Sequence, residues 1–121
     1  MESVKRNLGN GAESYVANYM NALGYQILTM NYTVPRIGEI DIIARHKENI
    51  YFVEVKARSN SKPYGGMEGC ISYQKLKRIK HCADIYMQQN NASESYCKIV
   101  GAFVHITPEK KYEKIKLVNL D

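Results

Sequence analysis

The patterns along the chain predict an α/β fold, a central mixed β-sheet flanked by helices in the order α-β-β-β-α-β-(β). Three observations carry this expectation. Residues 11–23 and 72–89 have apolar residues at helical spacing, and between them lie three consecutive β-type segments. Late in the chain comes a nearly continuous apolar run, K-I-V-G-A-F-V-H-I, which suits a strand buried on both faces. With 121 residues there is room for one core, so a single domain over residues 1–121 is expected.

In residues 11–23, Ala12, Val16, Tyr19 or Met20, and Leu23 recur on one helical face, and Gly24 is placed to end the helix. Residues 25–34 (Y-Q-I-L-T-M-N-Y-T-V) are rich in β-branched and aromatic types and are closed by Pro35. Residues 38–45 and 50–58 form a β-hairpin over the polar tip His46-Lys47-Glu48-Asn49. Residues 59–69 (S-N-S-K-P-Y-G-G-M-E-G) have the Gly, Ser and Pro density of a loop. The second helix, 72–89, presents Leu76, Ile79, Ala83 and Tyr86 or Met87. After the polar break at 90–95, residues 98–106 form the buried strand, Pro108 stops it, and residues 112–120 supply a last edge strand.

The formal net charge of +5 favours a polyanionic partner, because lysines and arginines that neutralise phosphates release condensed counterions. Many proteins of this charge bind no nucleic acid, so the charge alone decides nothing. Three cysteines, Cys70, Cys82 and Cys97, without a Cys-x-x-Cys pair, argue against a disulfide framework and a structural zinc site. Residues 1–6 lack the apolar run of a signal peptide, and no stretch of about 18 apolar residues is present to span a bilayer. A cytoplasmic protein without membrane attachment is the expectation.

The hairpin carries the chemistry. Side chains alternate faces along a strand, so Glu39, Asp41 and Ile43 share one face while Ile40, Ile42 and Ala44 share the other. On the next strand Ile50, Phe52, Glu54 and Lys56 lie together. If Arg45 pairs with Ile50 across the tip, Asp41 lies opposite Glu54 and Glu39 opposite Lys56. Like charges so opposed are destabilising, and a divalent cation held by the two carboxylates relieves this. The charges alone also fit ordinary pairing with Lys56, Arg45 or Arg36. Glu13, on the flank of the first helix's apolar stripe, reads either as a partner for this cluster or as a first-turn acid favoured by the helix dipole.

These residues resemble the PD-(D/E)xK nuclease superfamily. Its signature is an Asp on one strand, Glu/Asp-x-Lys on the next and a Glu on the preceding helix. Asp41, Glu54-Val55-Lys56 and Glu13 match, although Ile40 stands where that pattern has Pro. The spacing from Asp41 to Glu54 is similar to that of the archaeal Holliday-junction resolvases. More closely, the chain resembles the YraN family of small bacterial proteins. The shared pieces are Gly24-Tyr25, Asn31-Tyr32, the block G-E-I-D-I-I-A at 38–44 and the block F-V-E-V-K-A-R at 52–58. Tyr64-Gly65, Lys75, Arg78, Ala83 and Tyr86 also fit. After residue 97 the likeness weakens: Cys97-Lys98-Ile99-Val100 replaces the Arg-Phe-Asp segment of many members, so any role of that Asp is not carried over.

The resemblance implies a restriction-endonuclease-like fold and metal-dependent hydrolysis of a phosphodiester. By that analogy Asp41, Glu54 and the main-chain carbonyl of Val55 hold Mg²⁺ or Mn²⁺, Lys56 stabilises developing charge, Glu13 helps position the metal, and Glu39 supports from behind. Arg58, Lys75, Lys77, Arg78 and Lys80 are the candidate nucleic-acid contacts; a solvated helix face explains the last four equally simply. DNA, branched or single-stranded rather than a base sequence, is the expected substrate, and many nucleases of this fold act as homodimers. The rival class is a non-catalytic module of the same fold that binds DNA or accompanies DNA-processing proteins. His46, His81 and His105 have no cluster spacing, which leaves little for histidine-based catalysis.

Overall fold

Gly24 sets the first turn of the fold. Its φ of +102° lies in the region open to glycine, and the N–H groups of Gly24 and Tyr25 return to the carbonyls of Asn21 and Met20. This closes helix α1 (Gly11–Ala22) and directs the chain into strand β1 (Gln26–Val34). Strands β2 (Gly38–His46) and β3 (Asn49–Arg58) follow, then helix α2 (Tyr73–Gln89) and strands β4 (Cys97–Ile106) and β5 (Tyr112–Asn119). The computed structural model describes residues 11–59, 71–93 and 96–121. Apart from Ser59, the loop expected at 59–69 lies outside the described residues, as do Glu94 and Ser95 of the polar break. Among the described residues no helix is long and apolar enough to cross a membrane.

The five strands are ordered β1-β2-β3-β4-β5. All neighbours are antiparallel except β3 and β4, which run parallel because α2 carries the chain back between them. The expected α-β-β-β-α-β-β layout is therefore present, including the last edge strand. Helix α1 covers one face of the sheet: Val16, Ala17 and Met20 pack on Ile42, Ala44, Val53, Ala102 and Val104. Helix α2 covers the other, with Ile79, Cys82, Ala83 and Met87 on Ile43, Phe52 and Ile99. Strand β4 is buried over its central residues on both faces, as its apolar run predicts.

Three details depart from the sequence reading. Tyr19 and Leu23 are 40% and 51% exposed, because α1 meets the sheet through Val16, Ala17 and Met20 and the turn at Gly24 leaves its last residues outside. The hairpin tip is tighter than expected, with Lys47 at φ +57° and His46 already paired with Asn49. Most consequential, Ile40 does not share a face with Ile42. It packs on the α2 side, and on the neighbouring strand Tyr32 does so too, while Met30 and Ile42 face α1. The pairs Met30–Ile42 and Tyr32–Ile40 bracket Asn31 and Asp41, and Asn31 has a left-handed φ of +52°. A left-handed residue rotates the strand by more than the pleat allows, and Asn tolerates that conformation better than most. Both strands change faces at this step.

At the β5 edge the register shifts between Val104 and His105, leaving Lys114 as an unopposed bulge residue at φ +56°. On β4, Gly101 pairs with Glu54, and a Cβ built on it would stand 2.8 Å from Cε2 of Phe103. Gly101→Ala should therefore destabilise the protein by about 1–3 kcal/mol through overpacking. A urea midpoint unchanged from wild type would contradict this close fit.

A carboxylate cluster where two strands part

The hairpin register places Arg45 opposite Ile50 and continues as far as Ile42 opposite Val53. Beyond that the β2–β3 ladder ends, although β3 stays paired with β4 through Arg58. Asp41 stands at the parting: its Oδ2 accepts the Val55 N–H at 2.8 Å. In a continued ladder that N–H would have met the carbonyl of Ile40. A residue in a strand turns its N–H and C=O to the same edge, so the Val55 carbonyl also faces the gap.

Glu54 lies on the same β3 face as Phe52 and, at 4% exposure, is the one buried charged residue among those described. Its Oε2 is 2.9 Å from Lys75 Nζ and 3.9 Å from Lys56 Nζ. Lys75 comes from the first turn of α2, where the N-cap Ser72 holds its backbone N–H at 3.0 Å. Glu13 enters from α1, on the other layer. It accepts a hydrogen bond from Asn31 Nδ2 at 2.8 Å, and the same nitrogen donates to Glu39 Oε2 at 3.0 Å. Asn31 thus ties the two outer acids to the point where the strands change faces. Its own Oδ1 is buried without a partner.

The electrostatics report crowding. Burial pushes the Asp41 carboxyl up to about 6; the Val55 N–H opposes this, and the charge and hydrogen bonding of nearby Glu13 add to it. Glu54 is also raised, first by burial and then by the charge of Asp41, with Lys75 and Lys56 acting against the rise. Glu13, Asp41 and Glu54 therefore interact as one group, with Lys56 beside them. Hard oxygen donors of this kind suit Mg²⁺ or Mn²⁺. Among the described residues, however, no group of three or more Asp, Glu, His or Cys side chains is arranged to hold a metal by itself. A cation here would need a main-chain oxygen or water besides the acids.

The other candidate residues separate. Arg78 joins Gly38, Glu39, Asp41, Lys75 and Ile79 in lining a small cavity of about 160 Å³ between α2 and the start of β2. Lys77 instead lies 5.5 Å above the ring of Tyr73, and Lys80 lines a different hollow with Asp84 and Asp121. The four basic residues of α2 thus do not form one stripe. Arg58 is exposed at the end of β3. Glu39, expected opposite Lys56, binds Asn31 instead. Sequence reasoning gave Asn31 no role in the site and Lys75 only a phosphate contact. An Asn between Met30 and Tyr32, in a run of β-type residues, was the available signal for the first; nothing local signals the second.

An uncharacterised protein family, UPF0102, has a family model that matches residues 12–115, a span that includes all four cluster positions. The chain is 36% identical over 113 residues to a UPF0102 protein of Acetivibrio thermocellus, an alignment covering 93% of this chain and 85% of that one. It is 44% identical over 91 residues to a UPF0102 protein of Lachnoclostridium phytofermentans, covering 75% of each. A UPF0102 protein of Clostridioides difficile is 41% identical over 87 residues, covering 72% of this chain and 75% of the relative.

The raised Asp41 sets a pH dependence. A carboxyl whose folded pKa exceeds its unfolded value of about 3.9 stabilises the fold fully at low pH, and this contribution is lost as pH rises through the folded value. Without divalent ions, the Asp41 contribution should fall between about pH 4 and pH 6. Asp41→Asn, whose amide oxygen can still accept from Val55, should flatten that slope in urea titrations across this range. An unchanged slope in the variant would place the proton elsewhere.

Proposed function

The chain belongs to the UPF0102 family, and from that premise and the carboxylate cluster we propose that it is a metal-dependent phosphodiesterase acting on DNA. On this reading its sheet and two helices form the restriction-endonuclease-like core that the sequence resembles. One observation carries the proposal: Asp41 and Glu54 from two strands and Glu13 from a helix crowd together, at a cost in desolvation and repulsion, where the β2–β3 ladder is interrupted. Structural acids rarely need such an arrangement, whereas a cation site does.

Asp41, Glu54 and the Val55 carbonyl would hold Mg²⁺ or Mn²⁺. Such an ion supplies Lewis-acid chemistry, lowering the pKa of a water and neutralising charge on a phosphate. The rest falls to the chain. Val55 N–H fixes the orientation of Asp41. Asn31 fixes Glu13 and Glu39 from behind. Lys56 is loosely held, at 3.9 Å from Glu54, so its ammonium can turn to a phosphate oxygen and stabilise negative charge as it develops there. Arg78 and Arg58 would track neighbouring phosphates. Reading a base sequence needs several side chains aimed at base edges, so branched or single-stranded DNA is the simpler expectation for so short a chain.

A second reading has its own observation. The 2.9 Å pair between Lys75 and Glu54 neutralises one of the acids internally, as a purely structural network does in a DNA-binding module without cleavage. Cleavage assays with Mn²⁺ or Mg²⁺ on duplexes, flaps, forks, four-way junctions and single strands separate the two. Asp41→Ala and Glu54→Ala should each abolish cutting and metal binding, while Lys56→Ala should lower the cleavage rate about 100-fold and spare metal binding. If the wild type cuts none of the panel, the binding module is the better description. DNA binding should weaken with salt, and Arg58→Ala or Arg78→Ala should each reduce the log–log salt slope by about 1. A flat salt response would remove DNA as the partner.

A further inference from the structure

We propose that Lys75 is an internal counter-ion, which occupies the cation position beside Glu54 in the metal-free protein and moves to a substrate phosphate when a divalent cation replaces it. This rests on the metal-site reading above and adds a residue and a step to it.

Glu54 is buried, and among the described residues its nearest cation comes from α2 rather than from Lys56 two residues along its own strand. Both ammonium groups approach the same oxygen, Oε2, and Lys75 is closer by 1.0 Å, the difference between 3.9 and 2.9 Å. A divalent cation bound by Asp41 and Glu54 would therefore meet an ammonium already seated on one of its ligands. Two cations so close repel each other, and the mobile one gives way.

Lys75 is built to give way. Its side chain is 39% exposed, so the ammonium can leave Glu54 without opening the core. A lysine carries a point charge on a flexible four-carbon stem, unlike the fixed fork of arginine. Helix propensity does not account for its position: a cation in the first turn opposes the helix dipole, and that turn of α2 carries no acid. Its backbone, by contrast, is fixed by Ser72, so only the side chain needs to move. The destination is on the page as well. Lys75 and Arg78 form the basic wall of the 160 Å³ cavity whose opposite wall is Glu39 and Asp41. A phosphate entering there would face both cations, while Asp41 and Glu39 would repel it until a metal neutralised them. Cation and phosphate binding are thereby coupled through one side chain, and such coupling is reciprocal.

The test is calorimetry with Mn²⁺ alone on the full chain, comparing wild type with Lys75→Met and Lys75→Gln. Lys111→Met, an exposed lysine remote from Glu54 in sequence, controls for net charge. Removing the counter-ion should tighten Mn²⁺ binding about tenfold in a Lys75 variant that stays folded by circular dichroism, with Lys111→Met unchanged. Equal or weaker binding in the Lys75 variants overturns the inference and makes Lys75 a residue that merely orients Glu54. If neither wild type nor any variant binds Mn²⁺, the proposed function falls, and this inference with it. The second half is read by the initial anisotropy of a labelled single strand, before cleavage, with and without Mn²⁺. The metal should strengthen DNA binding in wild type and lose most of that effect in Lys75→Met. Equal strengthening in both would overturn the transfer to phosphate.

Discussion

The hydrogen bond from the Val55 N–H to Asp41 marks where the sheet stops propagating as a regular ladder, and the rest of the site depends on that stop. A buried backbone donor needs an acceptor. Here a carboxylate serves in place of a neighbouring strand's carbonyl. Once the side chain takes over, β2 no longer has to run beside β3, and the gap between them admits Glu13 from the α1 layer. A continuous ladder would have kept the two layers apart. The same bond holds back the rise in the pKa of Asp41 that burial and Glu13 impose.

Balance in the cluster comes from two lysines of different origin. Lys56 is fixed by register, two residues beyond Glu54 on β3. Lys75 depends on how α2 is docked, and that docking rests on Ile79, Cys82, Ala83 and Met87 against the sheet and on the cap at Ser72. The docking of α2 thus determines whether Glu54 has a close cation. Gly101 contributes to the same neighbourhood: its missing side chain lets the Phe103 ring lie close to the backbone opposite Glu54, a dry wall beside a charged group.

Much of this was legible in the chain. The short polar tip foretold the hairpin register as far as Ile42 opposite Val53, but the expected pairing of Asp41 with Glu54 falls beyond the end of that ladder. The apolar run of β4 announced burial on both faces. What stayed hidden has a common cause. A strict two-residue period cannot foresee a left-handed residue, so the face change at Asn31 and Asp41 was invisible, and Ile40 was assigned to the wrong side. Likewise the pairing of Lys75 with Glu54 joins residues from separate elements, and only the docked helix creates it. The helical period overestimated Leu23, because the turn at Gly24 ends the helix one residue before that position is drawn onto the sheet. Cys82, three residues after Ile79 and four before Tyr86, lies on the same apolar stripe of α2, although the helical reading named Ala83 there and not Cys82.

The bulge at Lys114 bears on how this sheet meets the outside world. An open edge strand offers a row of unpaired donors and acceptors to any other extended chain. Lys114, standing out of register in β5, breaks the even spacing of that row, and Lys116 on the same strand adds a charge to the edge. A second copy arriving edge-on, strand against strand, would face a kinked template, and its own lysines would be brought against these. At this border of the sheet the irregular, charged strand makes a poor template for the pairing of another strand.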